Sequence, residues 1–200
     1  MFGDVVTVRS ILQKAAYEQG QNNIEPERYT HVESFLEVAN TLVDEKIDST
    51  WKVLVNQTGT GADSIVYFVD RFVFNMVKQS KGTFHNHTFT KSNLFVAISK
   101  TSDCSNVNFP RDTFIEYRKD NGNDSWAIDR SGNIRVPCIE DQVYSGVVYR
   151  NISSIVSLNS ASDRKWEKTV NAPVISFAYL PNITDVTPVK ISFQIYNRWS

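Results

Sequence analysis

The sequence is poor in several things at once, and each scarcity excludes a class of protein. Its 200 residues include only 2 Cys and 3 His, too few for a disulfide-dense scaffold or for a zinc site built on repeated Cys and His spacings. With 8 Gly and 6 Pro it does not have the composition of a linker or a low-complexity segment. No apolar run approaches the roughly 18 residues that cross a bilayer as a helix, and Met1-Phe-Gly-Asp-Val-Val lacks a basic segment leading into an apolar one. The formal net charge is -1, with Lys and Arg scattered, so the basic stripe that a phosphate backbone requires is missing and nucleic acid is not an expected partner. What remains is a chain with 41% hydrophobic residues, ample for a buried core in one large unit or two small ones.

The first part of that chain carries helical periodicity. From about Asp4 to Gln19, Val5, Val8, Ile11, Leu12, Ala15 and Ala16 recur at spacings of three and four, and Gly20 can end the helix. From Tyr29 to Ile47 a second stripe is made by Val32, Phe35, Leu36, Ala39, Leu42 and Val43, with His31, Glu33, Glu37, Asn40, Asp44 and Glu45 on the other side. A short piece around Ser49-Thr-Trp-Lys-Val-Leu leads to the loop Asn56-Gln-Thr-Gly-Thr-Gly-Ala. A third helix, Asp63 to Gln79, presents Ile65, Phe68, Val69, Phe72, Val73 and Met76 on one face, and Lys78 suits the negative end of its dipole.

Beyond Ser80-Lys-Gly the period shortens to that of strands. Leu94–Ser99, Thr113–Arg118, Trp126–Asp129, Ile134–Ile139, Val143–Arg150, Ser153–Leu158 and Val174–Leu180 read as strands, separated by turns such as Arg130-Ser-Gly-Asn. At the end, Val189, Ile191, Phe193 and Ile195 alternate with Lys190, Ser192, Gln194 and Tyr196, the pattern of a strand with one buried face. It reads as a neighbour of Val174–Leu180 in a sandwich. Helices first and strands afterwards imply an α+β fold: an N-terminal helical subdomain, residues 1–85, packed on a C-terminal antiparallel β-sandwich, residues 92–200.

Candidate chemistry is sparse. His85-Asn-His87 has the spacing of a metal pair, but His31 lies on a distant helix and nothing else supplies ligands, so the pair reads as a solvated loop. Gly59-Thr-Gly-Ala-Asp lacks the Lys-Ser/Thr and the preceding strand of a phosphate-binding turn, and reads as a lead-in with Asp63 or Ser64 capping the helix. Asp44-Glu45 and Glu140-Asp141 sit where charged helix faces and turns are expected, although carboxylates paired by the fold would make a hydrolase. Trp51 should pack back onto the helix it follows, while Trp126, Trp166 and Trp199 could be anchors or stacking platforms. No catalytic, cofactor-binding or metal-binding residue is assigned, and the expectation is binding or scaffolding.

Two features point to an extracellular address. Five Asn-x-Ser/Thr sequons, at Asn56, Asn86, Asn123, Asn151 and Asn182, exceed the roughly three that 17 Asn would give by chance, and four of them, all but Asn151, lie in polar, turn-like stretches. Cys104 and Cys138 could close one disulfide over a loop of about 34 residues, worth about 3–4 kcal/mol. Two unrelated buried thiols are the alternative.

The order of these features resembles a known family. Phe35-Leu-Glu-Val-Ala-Asn-Thr-Leu-Val-Asp-Glu, Ser49-Thr-Trp and Ile65-Val-Tyr-Phe-Val-Asp-Arg-Phe look like the helical subdomain of the GAIN domain of adhesion G protein-coupled receptors. Val147-Val-Tyr-Arg-Asn-Ile, Asn171-Ala-Pro-Val-Ile-Ser-Phe-Ala-Tyr and Pro188-Val-Lys-Ile-Ser-Phe resemble strands of its sandwich, so that the resemblance covers residues 29–196. In that family a Cys- and Trp-rich segment ending in His-Leu before a Ser or Thr nucleophile follows, whereas this sequence stops at Trp199-Ser200, and no residue here can be assigned to self-cleavage. The resemblance therefore implies the non-catalytic part of the GAIN domain, at the extracellular face of the plasma membrane. Its implied partners are the remaining C-terminal part of the same receptor, with its seven-helix domain, and an extracellular protein ligand. The rival expectation is a secreted recognition or decoy module that binds through sandwich loops, with Trp126 and Tyr144 as contacts.

Overall fold

The computed structural model describes residues 2–18, 29–59, 61–79, 86–101, 107–110, 133–137, 142–150, 152, 174–179 and 192–194. Within them the chain is α+β, with the helices N-terminal and the strands C-terminal. The helices are α1 (Phe2–Glu18), α2 (Tyr29–Leu42), α3 (Asp48–Thr58) and α4 (Asp63–Gln79), with a 3₁₀ turn at Glu45–Ile47 between α2 and α3. The strands are β1 (His87–Thr90), β2 (Leu94–Lys100), β3 (Val107–Phe109), β4 (Asn133–Val136), β5 (Val143–Tyr149), β6 (Val174–Tyr179) and β7 (Ser192–Gln194).

The apolar stripes explain the helical layer. Every predicted stripe residue of α2 and α4 is buried, and Phe35 stacks on Phe72 with ring centroids 3.8 Å apart, joining the two helices face to face. On α1, Val5, Leu12 and Ala16 are buried, but Ile11 is 59% exposed. Val5, Leu12 and Ala16 keep a spacing of seven and four, and Ile11 stands about 100° from Leu12 around the helix, off that seam. Polar side chains complete the junction of α1 with α4. Arg9 Nε donates to Ser64 Oγ at 3.0 Å, and Asn75 Nδ2 donates to the Ala16 carbonyl at 3.0 Å, satisfying an acceptor that the last turn of α1 leaves open.

The expected single helix over 29–47 is shorter, and the expected short piece after it is longer. Asp44 interrupts: its carboxylate accepts from the Lys46 N–H at 2.9 Å and starts the 3₁₀ turn. The new helix α3 then runs to Thr58 through the expected loop, whose Thr58 hydroxyl bonds back to the Leu54 carbonyl at 2.8 Å. Gly59, at φ 70°, adopts the left-handed conformation that closes the helix, its N–H meeting the Val55 carbonyl at 2.8 Å. Downstream, Asp63 Oδ1 accepts from the Gly61 N–H at 3.1 Å and the Ser64 hydroxyl donates to the Gly61 carbonyl at 2.8 Å, so both expected residues fasten the start of α4.

The strands form two antiparallel sheets, a four-stranded one in the order β1-β2-β5-β6 and a three-stranded one in the order β3-β4-β7. In the first sheet the side-chain alternation divides two cores. Leu94, Val96 and Ile98 of β2, with Val147 and Tyr149 of β5, join the helical core. Phe95 and Ala97, with Tyr144 and Val148, form a second core with Phe109 of β3, against which Ile175 and Phe177 of β6 pack. The molecule is thus layered as helices, sheet, sheet, with the central strands β2 and β5 of the first sheet buried on both faces. That is why β2 reads Leu-Phe-Val-Ala-Ile with no polar alternation.

Two expectations about strands change. His87, read with His85 as part of a solvated loop, opens strand β1, paired with β2 through His87↔Ile98 to Thr90↔Phe95, while His85 lies outside the described residues. Phe89, buried in the helical core, holds β1 there. The final two strands are not partners: β6 pairs with β5 and β7 with β4, in opposite sheets. β6 ends at Tyr179 and β7 begins at Ser192, a sequence separation greater than the two to five residues of a hairpin loop. The expected strands at 113–118, 126–129 and 153–158 lie outside the described residues, as do Cys104 and Cys138.

Candidate functional site

The seam between the helical layer and the first sheet carries the polar side chains that the apolar pattern does not account for. At its centre, Asp70 of α4 is half-buried, and its carboxyl is held by two strands at once. Tyr149 of β5 donates its hydroxyl to Asp70 Oδ1 at 2.9 Å, and Ser176 of β6 donates to Oδ2 at 2.7 Å. Tyr149 Oη also lies 3.2 Å from the Val66 carbonyl, one turn earlier on α4. The register makes this possible. Val147↔Ser176 places Ser176 beside β5, two residues from Tyr149 and on the same sheet face.

Burial raises the Asp70 pKa above the ordinary carboxylate value, against the opposing pull of the Ser176 and Tyr149 hydrogen bonds. Tyr149 is fully enclosed, and its phenol is pushed well above its ordinary value by burial first and by the neighbouring Asp70 charge second. Both carboxyl oxygens are occupied by donors from the sheet, so the chemistry of this cluster is to hold layers together and to bind a proton.

A second contact fixes the tip of the β1–β2 hairpin to α2. Lys91 Nζ bridges Glu33 at 2.5 Å and Glu37 at 3.1 Å, residues one turn apart on α2. These carboxylates raise the Lys91 pKa, Glu33 foremost, with burial opposing. One turn further along α2, Asn40 Oδ1 accepts from the Asn93 N–H at 2.8 Å and from the Ser92 hydroxyl at 3.3 Å. Asn40, expected on the wet side of the helix, is therefore only 8% exposed. Asn40→Ala is expected to remove the acceptor of the buried Asn93 N–H and to cost about 1–3 kcal/mol. Urea denaturation would read this, and a loss below about 0.5 kcal/mol would show that the hairpin tip finds another acceptor.

No family model and no curated protein matches this chain.

The residues singled out in the sequence fall in different places. Asn56 is exposed, but it sits in the last turns of α3 and not in a turn-like stretch, because Gly59 postpones the helix end. Asn86 is exposed just before β1. Its Oδ1 accepts from the Ser99 hydroxyl at 2.8 Å and the Lys100 N–H at 3.1 Å, continuing the β1–β2 ladder with a side chain. Asn123, Asn151 and Asn182 lie outside the described residues, with Trp126, Trp166 and Trp199. Tyr144 is 5% exposed and stacked on Phe177 at 5.2 Å, so it is core and not a binding contact. His31 is exposed on α2 and His87 is half-buried in β1. Among the described residues no group of three or more His, Cys, Asp or Glu is placed to hold a metal ion. No helix among them is long and apolar enough to cross a membrane.

Sequence reasoning passed over Asp70, Tyr149 and Ser176. A signal was present: Asp70 interrupts the apolar run of α4 between Val69 and Phe72. Its partners, though, follow only from the β5–β6 register.

Proposed function

We propose that this chain is a non-catalytic extracellular scaffold of an adhesion G protein-coupled receptor. In that role it would hold the region of autoproteolysis and tethered agonist and couple adhesion to G protein signalling. The observation that carries the reading is the order and sharing of layers. An N-terminal helical layer packs on the first sheet of a C-terminal two-sheet sandwich, with one apolar cluster running through both. This is the arrangement that the resemblance of residues 29–196 to a GAIN domain calls for. Exposed Asn56 and Asn86 add support, since a glycan could leave either side chain toward solvent. Asn86 could carry one on Nδ2 while its Oδ1 keeps the bonds to β2.

In this role the seam matters more than any loop. A scaffold transmits displacement only if its layers move as one body, and the Asp70 and Asn40 contacts tie helices to strands at two separate places. The partners are the remaining C-terminal part of the same receptor, with its seven-helix domain, and an extracellular protein ligand.

The deciding experiment is to sequence transcripts, from cells that express the chain, on the 3′ side of the Ser200 codon. A continuation into a Cys- and Trp-rich segment ending in His-Leu-Ser/Thr, followed by seven apolar spans, is the expected result. A stop codon directly after Ser200 in every transcript would sink the receptor reading in favour of a secreted recognition or decoy module.

A further inference from the structure

The hydroxyl of Tyr149 has one proton and two acceptors within reach, Asp70 Oδ1 at 2.9 Å and the Val66 carbonyl at 3.2 Å. It can serve only one at a time. When Asp70 is ionised, Tyr149 donates to Oδ1, and the Val66 carbonyl retains its intrahelical bond within α4. When Asp70 is protonated, the carboxyl can donate to Tyr149 Oη, and the phenol proton can turn to the Val66 carbonyl. Ser176 can donate to Oδ2 in either state. Every proton has a partner on both sides of the titration, which an isolated buried carboxyl would not have.

We propose that Asp70, Tyr149 and Val66 form a proton-operated latch between α4 and the first sheet, set by acid and eased as the carboxyl ionises. Among the described residues, the groups that face Asp70 carry no compensating positive charge. From β5 comes the neutral phenol of Tyr149 and from β6 the hydroxyl of Ser176, and among the described residues no cationic side chain acts on the carboxyl. Arg71, next in sequence, turns instead to the face of Tyr17, its guanidinium 4.7 Å from the ring centroid. From α1, Arg9 goes to Ser64 and lies over Phe68. Among the described residues, ionisation therefore places a charge in a desolvated seam that two hydrogen bonds relieve.

The direction of the pH effect follows. Burial raises the folded-state pKa of Asp70 above its ordinary value, so the folded chain binds the proton more tightly than the unfolded chain. The contribution to stability is fully present below the ordinary carboxylate value. It declines as pH rises through the interval between that value and the raised one, and stays lost above it. The latch is tightest in acid, the reverse of a carboxylate held by a salt bridge. It acts whether or not the chain belongs to a receptor.

The test is a carbon-13 NMR titration of the unaltered chain. Asp70 Cγ is expected to titrate with a midpoint above the ordinary carboxylate range, and the Val66 carbonyl carbon to shift with the same midpoint as the phenol proton turns to it. In Tyr149→Phe the Val66 response should disappear. An Asp70 midpoint within or below the ordinary range overturns the proposal, and so does a Val66 carbonyl that is silent in the unaltered chain. Urea denaturation supplies an independent arm. The midpoint of Asp70→Asn, which stays neutral at every pH, should move upward relative to the unaltered chain as pH rises from acid to neutral. A gap that is constant, or that moves the other way, overturns it.

Discussion

Trp51→Ala is expected to cost about 3–5 kcal/mol of folding stability, a large share of the roughly 5–15 kcal/mol that holds a domain together. The indole is fully enclosed in the helical core, so truncation removes its buried surface and opens a cavity that surrounding side chains fill only in part. A second loss is specific to this place. An α-helix leaves its last carbonyls without intrahelical partners, and α2 ends at Leu42. The Ala39 carbonyl is met by the Val43 N–H and that of Thr41 by the Asp44 N–H, while the Leu42 carbonyl accepts from Trp51 Nε1 at 2.7 Å. The indole thus caps α2 from α3, across the 3₁₀ turn, and sets the angle between the two helices. Trp51→Phe keeps much of the volume but not the donor, and should cost about 1–3 kcal/mol. Urea denaturation followed by far-ultraviolet circular dichroism separates the two, because backbone ellipticity is read and not indole fluorescence. Equal losses in both variants would show that packing alone matters and that the cap contributes nothing.

The same residue shows how far the sequence could be read. That Trp51 packs back onto the preceding helix was legible, because a large aromatic one step beyond an apolar stripe has nowhere else to be buried. The stripes of α2 and α4 were legible for a related reason: six apolar residues at helical spacing specify a face without reference to the rest of the chain. Ile11 was not legible in the same way, since spacing alone does not distinguish two adjacent apolar residues, and it is Leu12 and not Ile11 that is buried. The break at Asp44 and the persistence of α3 to Thr58 depend on side-chain bonds to backbone, which the apolar pattern does not record. β1 was missed because His87-Thr-Phe-Thr is held by a single buried aromatic and by pairing with β2. The seam was least legible of all. Asp70, Tyr149 and Ser176 are 79 and 106 residues apart in sequence from the carboxylate outward, and only the completed register brings them together. Asn40 looked like part of a wet helix face because nothing local announces that a hairpin tip will dock there.

Gly146→Ala is expected to destabilise the sandwich by about 1–3 kcal/mol, although Ala is intrinsically the better strand residue. Gly146 lies near the middle of β5, on the face that meets the second sheet, opposite Phe177 of β6. A Cβ there would stand 2.5–2.7 Å from three atoms of the Phe109 ring, closer than carbon atoms can approach. The ring has little room to withdraw. Phe109 is fully buried, with Phe95 at 6.3 Å and Phe177 at 5.7 Å between ring centroids, and Tyr144 stacks on Phe177 behind it. Relief would require β3 to lift from the first sheet, and β3 is paired with β4 from Val107↔Val136 to Phe109↔Ile134. The glycine is therefore a socket that fixes where the second sheet sits on the first, and so the position of everything that sheet carries. A double-mutant cycle isolates this cause. Phe109→Leu alone should destabilise through lost packing, yet in its presence Gly146→Ala should cost less, with a coupling of about 0.5–3 kcal/mol. If the two losses simply add, the ring is not what requires glycine at this position, and the sheets are registered by some other contact.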